Sequence, residues 1–153
     1  MATVIEFSTD AYETIISHAR EGTPHEVCGV LGGQRVEPSG GEAEDDAGST
    51  EPEPADQVRS VHRAANVTRS PQRTYLIDPE EQLAIMDDIE ESGEEVLGFY
   101  HSHPTGPARP SEADERRATW AGYSYAICLP SVPFVGSWHW NGETFSPEVL
   151  SLR

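Results

Sequence analysis

The chain has no lysine. All ten basic residues are arginines, set against 27 aspartates and glutamates, and the formal charge is −17 over 153 residues. So acidic a chain lacks the basic footprint needed to neutralise phosphates, which excludes a nucleic-acid partner. No apolar run approaches the ~20 residues of a membrane-spanning helix, so no membrane partner is expected either. The start, Met1-Ala2-Thr3-Val4-Ile5-Glu6, has no basic residue and no long apolar core. It does not read as an export signal, and a cytoplasmic protein is expected. Cysteine is scarce: Cys28 and Cys128 stand far apart and form no C-x-x-C pair. Two reduced, buried thiols are the simplest expectation. A Cys28–Cys128 disulfide is the alternative if the strands carrying them are neighbours.

Arginine without lysine, on a strongly acidic chain, is the composition expected in a salt-rich cytoplasm such as that of a halophilic archaeon. There the Debye length falls to ~3 Å at 1 M, self-repulsion is screened, and carboxylates hold water and cations. The same absence leaves no side-chain amine for tagging through an isopeptide bond.

The negative charge is unevenly spread. Glu37, Glu42, Glu44, Asp45, Asp46, Glu51, Glu53 and Asp56 fall in one stretch with no basic residue and few apolar side chains. Such a stretch cannot offset the entropy of ordering, so residues 37–56 are expected to form a disordered loop. The rest reads as a single domain over residues 1–153. Ser8 caps a predicted helix to about Glu21, with Tyr12, Ile15, Ile16 and Ala19 at helical spacing. Glu26–Gly33 and Val58–Ala65 read as strands, and Thr74–Ile77 as a short one. Asp78-Pro79-Glu80-Glu81 opens a second helix to Ser92, with Leu83, Ile85, Met86 and Ile89 inward. Val96–His103 is a strand, Ser111 opens a helix to about Trp120, and Tyr123–Leu129 is a buried strand. Phe134–Trp140 and Glu143–Val149 are expected to pair about a type I′ turn at Asn141-Gly142. Helices and strands so mixed place the chain in the α/β or α+β class, around one mixed sheet.

The chemistry concentrates in Gly98-Phe99-Tyr100-His101-Ser102-His103-Pro104, followed by Ser111-Glu112-Ala113-Asp114. His101 and His103, two apart on a strand, project from the same face. The loop after Pro104 is long enough to bring Asp114 back to them. Two imidazoles and a carboxylate, with a fourth position left to water, is the ligand set of a catalytic zinc site. Ser111-x-x-Asp114 taken alone is a helix capping box. Together, His-x-His-x10-Asp with a serine three residues before the aspartate is far more specific than its parts. His18, His25, His62 and His139 show no such constellation, and Trp138 and Trp140 read as sheet packing.

This run resembles the signature of the JAMM (MPN-plus) metalloproteases. Pro24-His25-Glu26-Val27-Cys28-Gly29-Val30 is similar to that family's first strand, and Asn66-Val67, Tyr75, Asp78-Pro79 and Gly98-Phe99-Tyr100 match in kind. The resemblance spans about residues 5–149 apart from the acidic stretch. It implies a mixed, partly barrel-like sheet flanked by helices, akin to the cytidine-deaminase fold. It implies one Zn²⁺ held by His101, His103 and Asp114, with Glu26 as general base and Ser111 as donor to the developing oxyanion. It further implies hydrolysis after the C-terminal Gly-Gly of a ubiquitin-like modifier joined to lysine. Processing of a sulfur-carrier protein is the alternative, and a non-catalytic scaffold a remoter one. A nucleobase deaminase is disfavoured, because it needs an H-x-E run and cysteine ligands.

Overall fold

The computed structural model describes residues 3–36 and 55–153. Its elements are β1 (Val4–Phe7), α1 (Thr9–Gly22), β2 (Cys28–Gln34), β3 (Asp56–Ala64), α2 (Pro79–Glu91), β4 (Glu95–Ser102), α3 (Glu112–Arg117), β5 (Ser124–Leu129), β6 (Phe134–Trp140), β7 (Phe145–Pro147) and β8 (Val149–Leu152). The strands form one mixed sheet in the order β7-β6-β5-β4-β2-β3-β1-β8. Its outer strands, β7 and β8, are joined in sequence at Glu148, whose N–H donates to the Ser137 carbonyl at 2.9 Å. The two edges therefore nearly meet, and the sheet curls into an almost closed barrel, as the sequence resemblance implied.

The helices form where local chemistry favours them. Ser8 Oγ accepts the Ala11 N–H at the start of α1, and Asp78 does the same for Glu81 at the start of α2, with Pro79 in the first turn. α1 buries Ala11, Ile15, Ile16 and Ala19 against one sheet face, with Ile5, Phe7, Leu31, Leu97 and Tyr100. α2 covers the other face, where Met86 and Ile89 meet Val30, Phe99, Tyr125 and Trp140. β4 lies at the centre, between β2 and β5; it carries His101 toward the α2 side, and His103 follows just past its end. Close strand approach is built into its sequence: a Cβ on Gly98 would run into the Ser124 carbonyl of β5.

Several expectations are corrected. Leu83 is 61% exposed, because the buried stripe of α2 is narrower than its apolar spacing suggests. Thr74–Ile77 makes only a single bridge, Asn66 to Ile77. The Ser111 helix stops at Arg117. β6 and β7 are joined by a four-residue loop, not a type I′ turn. Gly142 alone takes positive φ, while Asn141 Oδ1 accepts the Glu143 and Thr144 N–H groups at 2.8 Å each. The strand expected over Glu143–Val149 is split, since β8 turns away to pair in parallel with β1. Cys28 and Cys128 are both buried and free. They sit on β2 and β5 with β4 between them, and pack into the cores on opposite faces of the sheet. The expected acidic loop lies outside the described residues over 37–54, and Asp56 already belongs to β3.

Candidate active site

Sheet register brings Glu26 to the histidines. β2 and β4 run antiparallel with Cys28 opposite His101. Beyond the strand end the pairing continues: the Ser102 N–H donates to the Val27 carbonyl at 3.1 Å, and the Val27 N–H donates to Ser102 Oγ at 2.9 Å. Opposed residues share a sheet face, and alternate residues return to it, so Glu26, His101 and His103 all project to one side. The Glu26 backbone is held as well. Its N–H donates to the Pro71 carbonyl at 2.6 Å, and its carbonyl accepts from Asn66 Nδ2 at 2.9 Å. Asn66 also donates to Thr74 and accepts the Leu76 N–H, so one side chain ties the 66–77 loop to the segment bearing Glu26.

Asp114 arrives from the other side, in the first turn of α3. A capping box sets it: Ser111 Oγ accepts the Asp114 N–H at 3.0 Å, and Asp114 Oδ2 accepts the Ser111 N–H at 2.8 Å. The same Oδ2 lies 3.2 Å from His101 Nε2 and 3.1 Å from His103 Nε2, and the two nitrogens are 3.0 Å apart. Glu26 joins the group, with one carboxyl oxygen and the two imidazoles all within 4.8 Å. Glu26, His101 and His103 are 6%, 1% and 7% exposed.

Burial dominates the electrostatics. It pushes the Glu26 carboxyl up to about 7, with Asp114 adding to the rise and His103 opposing it. Burial also lowers His101, against the pull of Asp114. For His103 burial is outweighed by the Asp114 carboxylate and the Pro107 carbonyl, and the net shift is upward. Burial likewise works against the charge on Asp114, but the adjoining His101 and His103 imidazoles, in their protonated forms, and the Ser111 N–H hold it well below the carboxylate range.

The donor set fits a cation. His103 Nδ1 lies 2.8 Å from the Pro107 carbonyl, which fixes the proton on that nitrogen and leaves the Nε2 lone pair facing His101 and Asp114. With both Nε2 atoms deprotonated, two imidazole nitrogens and a carboxylate oxygen within 3.2 Å of one another repel unless a positive centre lies among them. Glu26 Oε1 and His101 Nδ1 are buried with no hydrogen-bond partner among the described residues. The His101 ring is instead stacked on Tyr75, centroids 4.3 Å apart and planes inclined 21°.

The family described as prokaryotic homologues of the JAB domain matches residues 8–140. The chain belongs to this family. As a JAB-domain chain it is 38% identical over 145 residues to a desampylase of Haloferax volcanii, covering 92% of this chain and 91% of that protein. It is 30% identical over 124 residues to the CysO-cysteine peptidase of Mycobacterium tuberculosis, covering 81% and 72% of the two. Among solved structures, a Desulfitobacterium hafniense protein superposes with a TM-score of 0.78 at 32% identity, over 97% of this chain and 92% of that one. The sequence resemblance to JAMM metalloproteases thus stands, and with it the fold.

All five residues singled out in the sequence, Glu26, His101, His103, Ser111 and Asp114, meet in this JAB-domain site. Sequence reasoning missed the parts that hold them. In the sequence Ser102 is no more than the spacer of the His-x-His run, although its hydroxyl receives the Val27 N–H. Asn66 and Tyr75 matched in kind without a role. Asn66 is 40 residues from its partner Glu26, and no local pattern reports such a contact. His18 and His62 have partners as well: His18 Nδ1 lies 2.7 Å from the Tyr100 hydroxyl, and His62 Nε2 2.8 Å from Ser60 Oγ.

Proposed function

We propose that this JAB-domain chain is a zinc-dependent isopeptidase. It hydrolyses the bond between the C-terminal Gly-Gly of a ubiquitin-like modifier and a lysine of a target protein. The observation that carries the reading is the convergence of His101 Nε2, His103 Nε2 and Asp114 Oδ2 within 3.2 Å of one another, beside the buried Glu26 carboxyl. His101, His103 and Asp114 would hold one zinc ion. When bound, zinc supplies Lewis acidity, lowering the pKa of water to ~7 and polarising a carbonyl. Of the two carboxylates, Asp114 suits the ligand role, because its oxygen is the one in contact with both imidazoles.

Glu26 is then left for proton transfer. It takes a proton from the attacking water as the C–O bond forms and delivers it to the lysine amine as the C–N bond breaks. Ser111 Oγ already accepts the Asp114 N–H, which leaves its own proton free to donate to the developing oxyanion. Losing one such donor costs ~3–4 kcal/mol of barrier. The relatives support the reading by their names, since one is a desampylase and another is described as a probable TtuB-protein conjugate cleaving protease of Thermus thermophilus. The lysine-free composition supports a salt-adapted enzyme.

The CysO-cysteine peptidase relative favours one second reading, the trimming of a sulfur-carrier protein. Incubation at molar salt with a Gly-Gly-terminated modifier joined to a lysine side chain, with and without chelator, separates the two. Chelator-sensitive release of the modifier, abolished in Glu26→Ala, is expected. Cleavage confined to extensions of the modifier's own C-terminus would favour the second reading.

A further inference from the structure

A cavity of about 520 Å³ opens beside the site. Phe99, Trp120, Tyr125 and Leu76 supply apolar walls, and Arg116 and Arg117 are the only charged residues among its described lining. In a chain with 27 acids, no carboxylate lines it among the described residues. The sequence shows how: Gln57–Ile77, Val96–Ser111 and Arg116–Gly142, which build most of the cavity, contain no Asp or Glu. Tyr75 links cavity and site, lining the one while its ring stacks on His101. Arg117 Nη1 donates to the Tyr75 carbonyl at 3.3 Å, which holds that guanidinium at the rim. Among the described residues Arg116 reaches only Glu112, at 4.0 Å, with both ends exposed, a pair too weak to occupy it.

Resting on the isopeptidase reading, we propose that this cavity selects the substrate. It takes a segment beside the scissile bond in which a bulky apolar side chain is followed by an acidic one. The aromatic walls bury the apolar side chain. Arg116 and Arg117 pair with the carboxylate through charge-assisted, fork-like hydrogen bonds. Charge complementarity favours this occupant, because on a chain of net charge −17 the two arginines make a basic rim with no carboxylate among the described lining residues. Direct pairing also survives molar salt better than diffuse attraction does, since the Debye length there is ~3 Å.

The test uses three acetylated peptides, ending Phe-Glu-Gly-Gly, Phe-Gln-Gly-Gly and Ala-Glu-Gly-Gly, with a fourth ending Phe-Arg-Gly-Gly for the charge-reversed variant. They are titrated into the intact protein as purified, its metal retained, by calorimetry and followed by tryptophan emission, since Trp120 walls the cavity. The Phe-Glu peptide is expected to bind ~10-fold tighter than either of the others. Arg116→Gln/Arg117→Gln should erase the preference for Glu over Gln. Arg116→Glu/Arg117→Glu should turn it toward a Phe-Arg-Gly-Gly peptide, a reversal that misfolding cannot produce. Equal affinities, no binding of any peptide, or a preference that persists in Arg116→Gln/Arg117→Gln would overturn the proposal. Conjugate cleavage with no peptide preference would sink the cavity alone. A peptide preference without conjugate cleavage would sink the isopeptidase reading alone.

Discussion

Ser102 lies between the two histidines but points the other way, and its hydroxyl receives the Val27 N–H at 2.9 Å. Ser102 is fully buried and Val27 is 7% exposed. Ser102→Ala removes the acceptor and leaves that N–H without a partner in a place water does not reach. The cost of such an orphaned donor is ~1–3 kcal/mol, more than the ~1 kcal/mol an ordinary hydrogen bond contributes net. In a domain of this size each kcal/mol moves Tm by ~2–4 °C, so a fall of several degrees is expected. Urea unfolding gives the free energy directly, with an unchanged m value if the native fold is kept. The damage should also reach catalysis. Val27 follows Glu26 in the chain, and a small displacement of a proton-transfer group costs rate steeply. The reasoning therefore predicts a drop in kcat with KM and bound metal little changed. Ser102→Ala with wild-type stability and wild-type kcat would refute it.

Three further predictions follow from particular contacts. Tyr75→Leu removes the ring stacked on His101 and should weaken zinc affinity ~10-fold, the range seen for supports behind a metal ligand, whereas Tyr75→Phe keeps the ring and should keep the affinity; competition with a chromogenic chelator reads both, and equal affinity in Tyr75→Leu would rule the stacking out as a support. Acid should weaken the fold through His18, whose imidazole is held down at about 4 by burial and by Arg63. Its folded pKa lies below its unfolded value of ~6.5, so its contribution is fully present above that value and is lost as pH falls through about 4. Partial exposure reduces the shift to ~1–2 kcal/mol, and His18→Gln should lose correspondingly less stability than wild type between pH 7 and pH 4; parallel losses would argue against it. Gly98→Ala would drive a methyl group into the Ser124 carbonyl, so it should destabilise by ~1–3 kcal/mol, as overpacking does, and lower soluble yield.

What the sequence made legible was local or tied to a dense motif. Ser8 and Asp78-Pro79 announce their helices because caps act within three residues. His101 and His103 declare a shared face because strand periodicity is fixed, and Asp114 follows from a loop of known length. Glu26 is different: among 27 acids only the family resemblance singled it out, and the β2–β4 register supplies the physical reason it belongs. Most of the misreadings come from tertiary packing, and one from a local side-chain bond. Leu83 has the right spacing, but α2 meets the sheet along a narrower stripe than its apolar residues span. β8 leaves the hairpin because β1, at the far end of the chain, offers it a parallel partner. Asn141 satisfies the N–H groups of its loop with its own side chain, so it has no need of positive φ. Tyr75 beneath His101 and Asn66 behind Glu26 are contacts made only by tertiary folding.

The central claim is that His101, His103 and Asp114 hold a zinc ion while Glu26 moves the proton. Zinc content by elemental analysis, taken with conjugate cleavage on the same preparations, tests it most directly. Wild type and Glu26→Gln should each hold about one zinc per chain, and only wild type should cleave. His103→Ala and Asp114→Ala should lose metal and activity together. Stoichiometric zinc in His103→Ala or Asp114→Ala, or wild-type turnover in Glu26→Gln, would contradict the account.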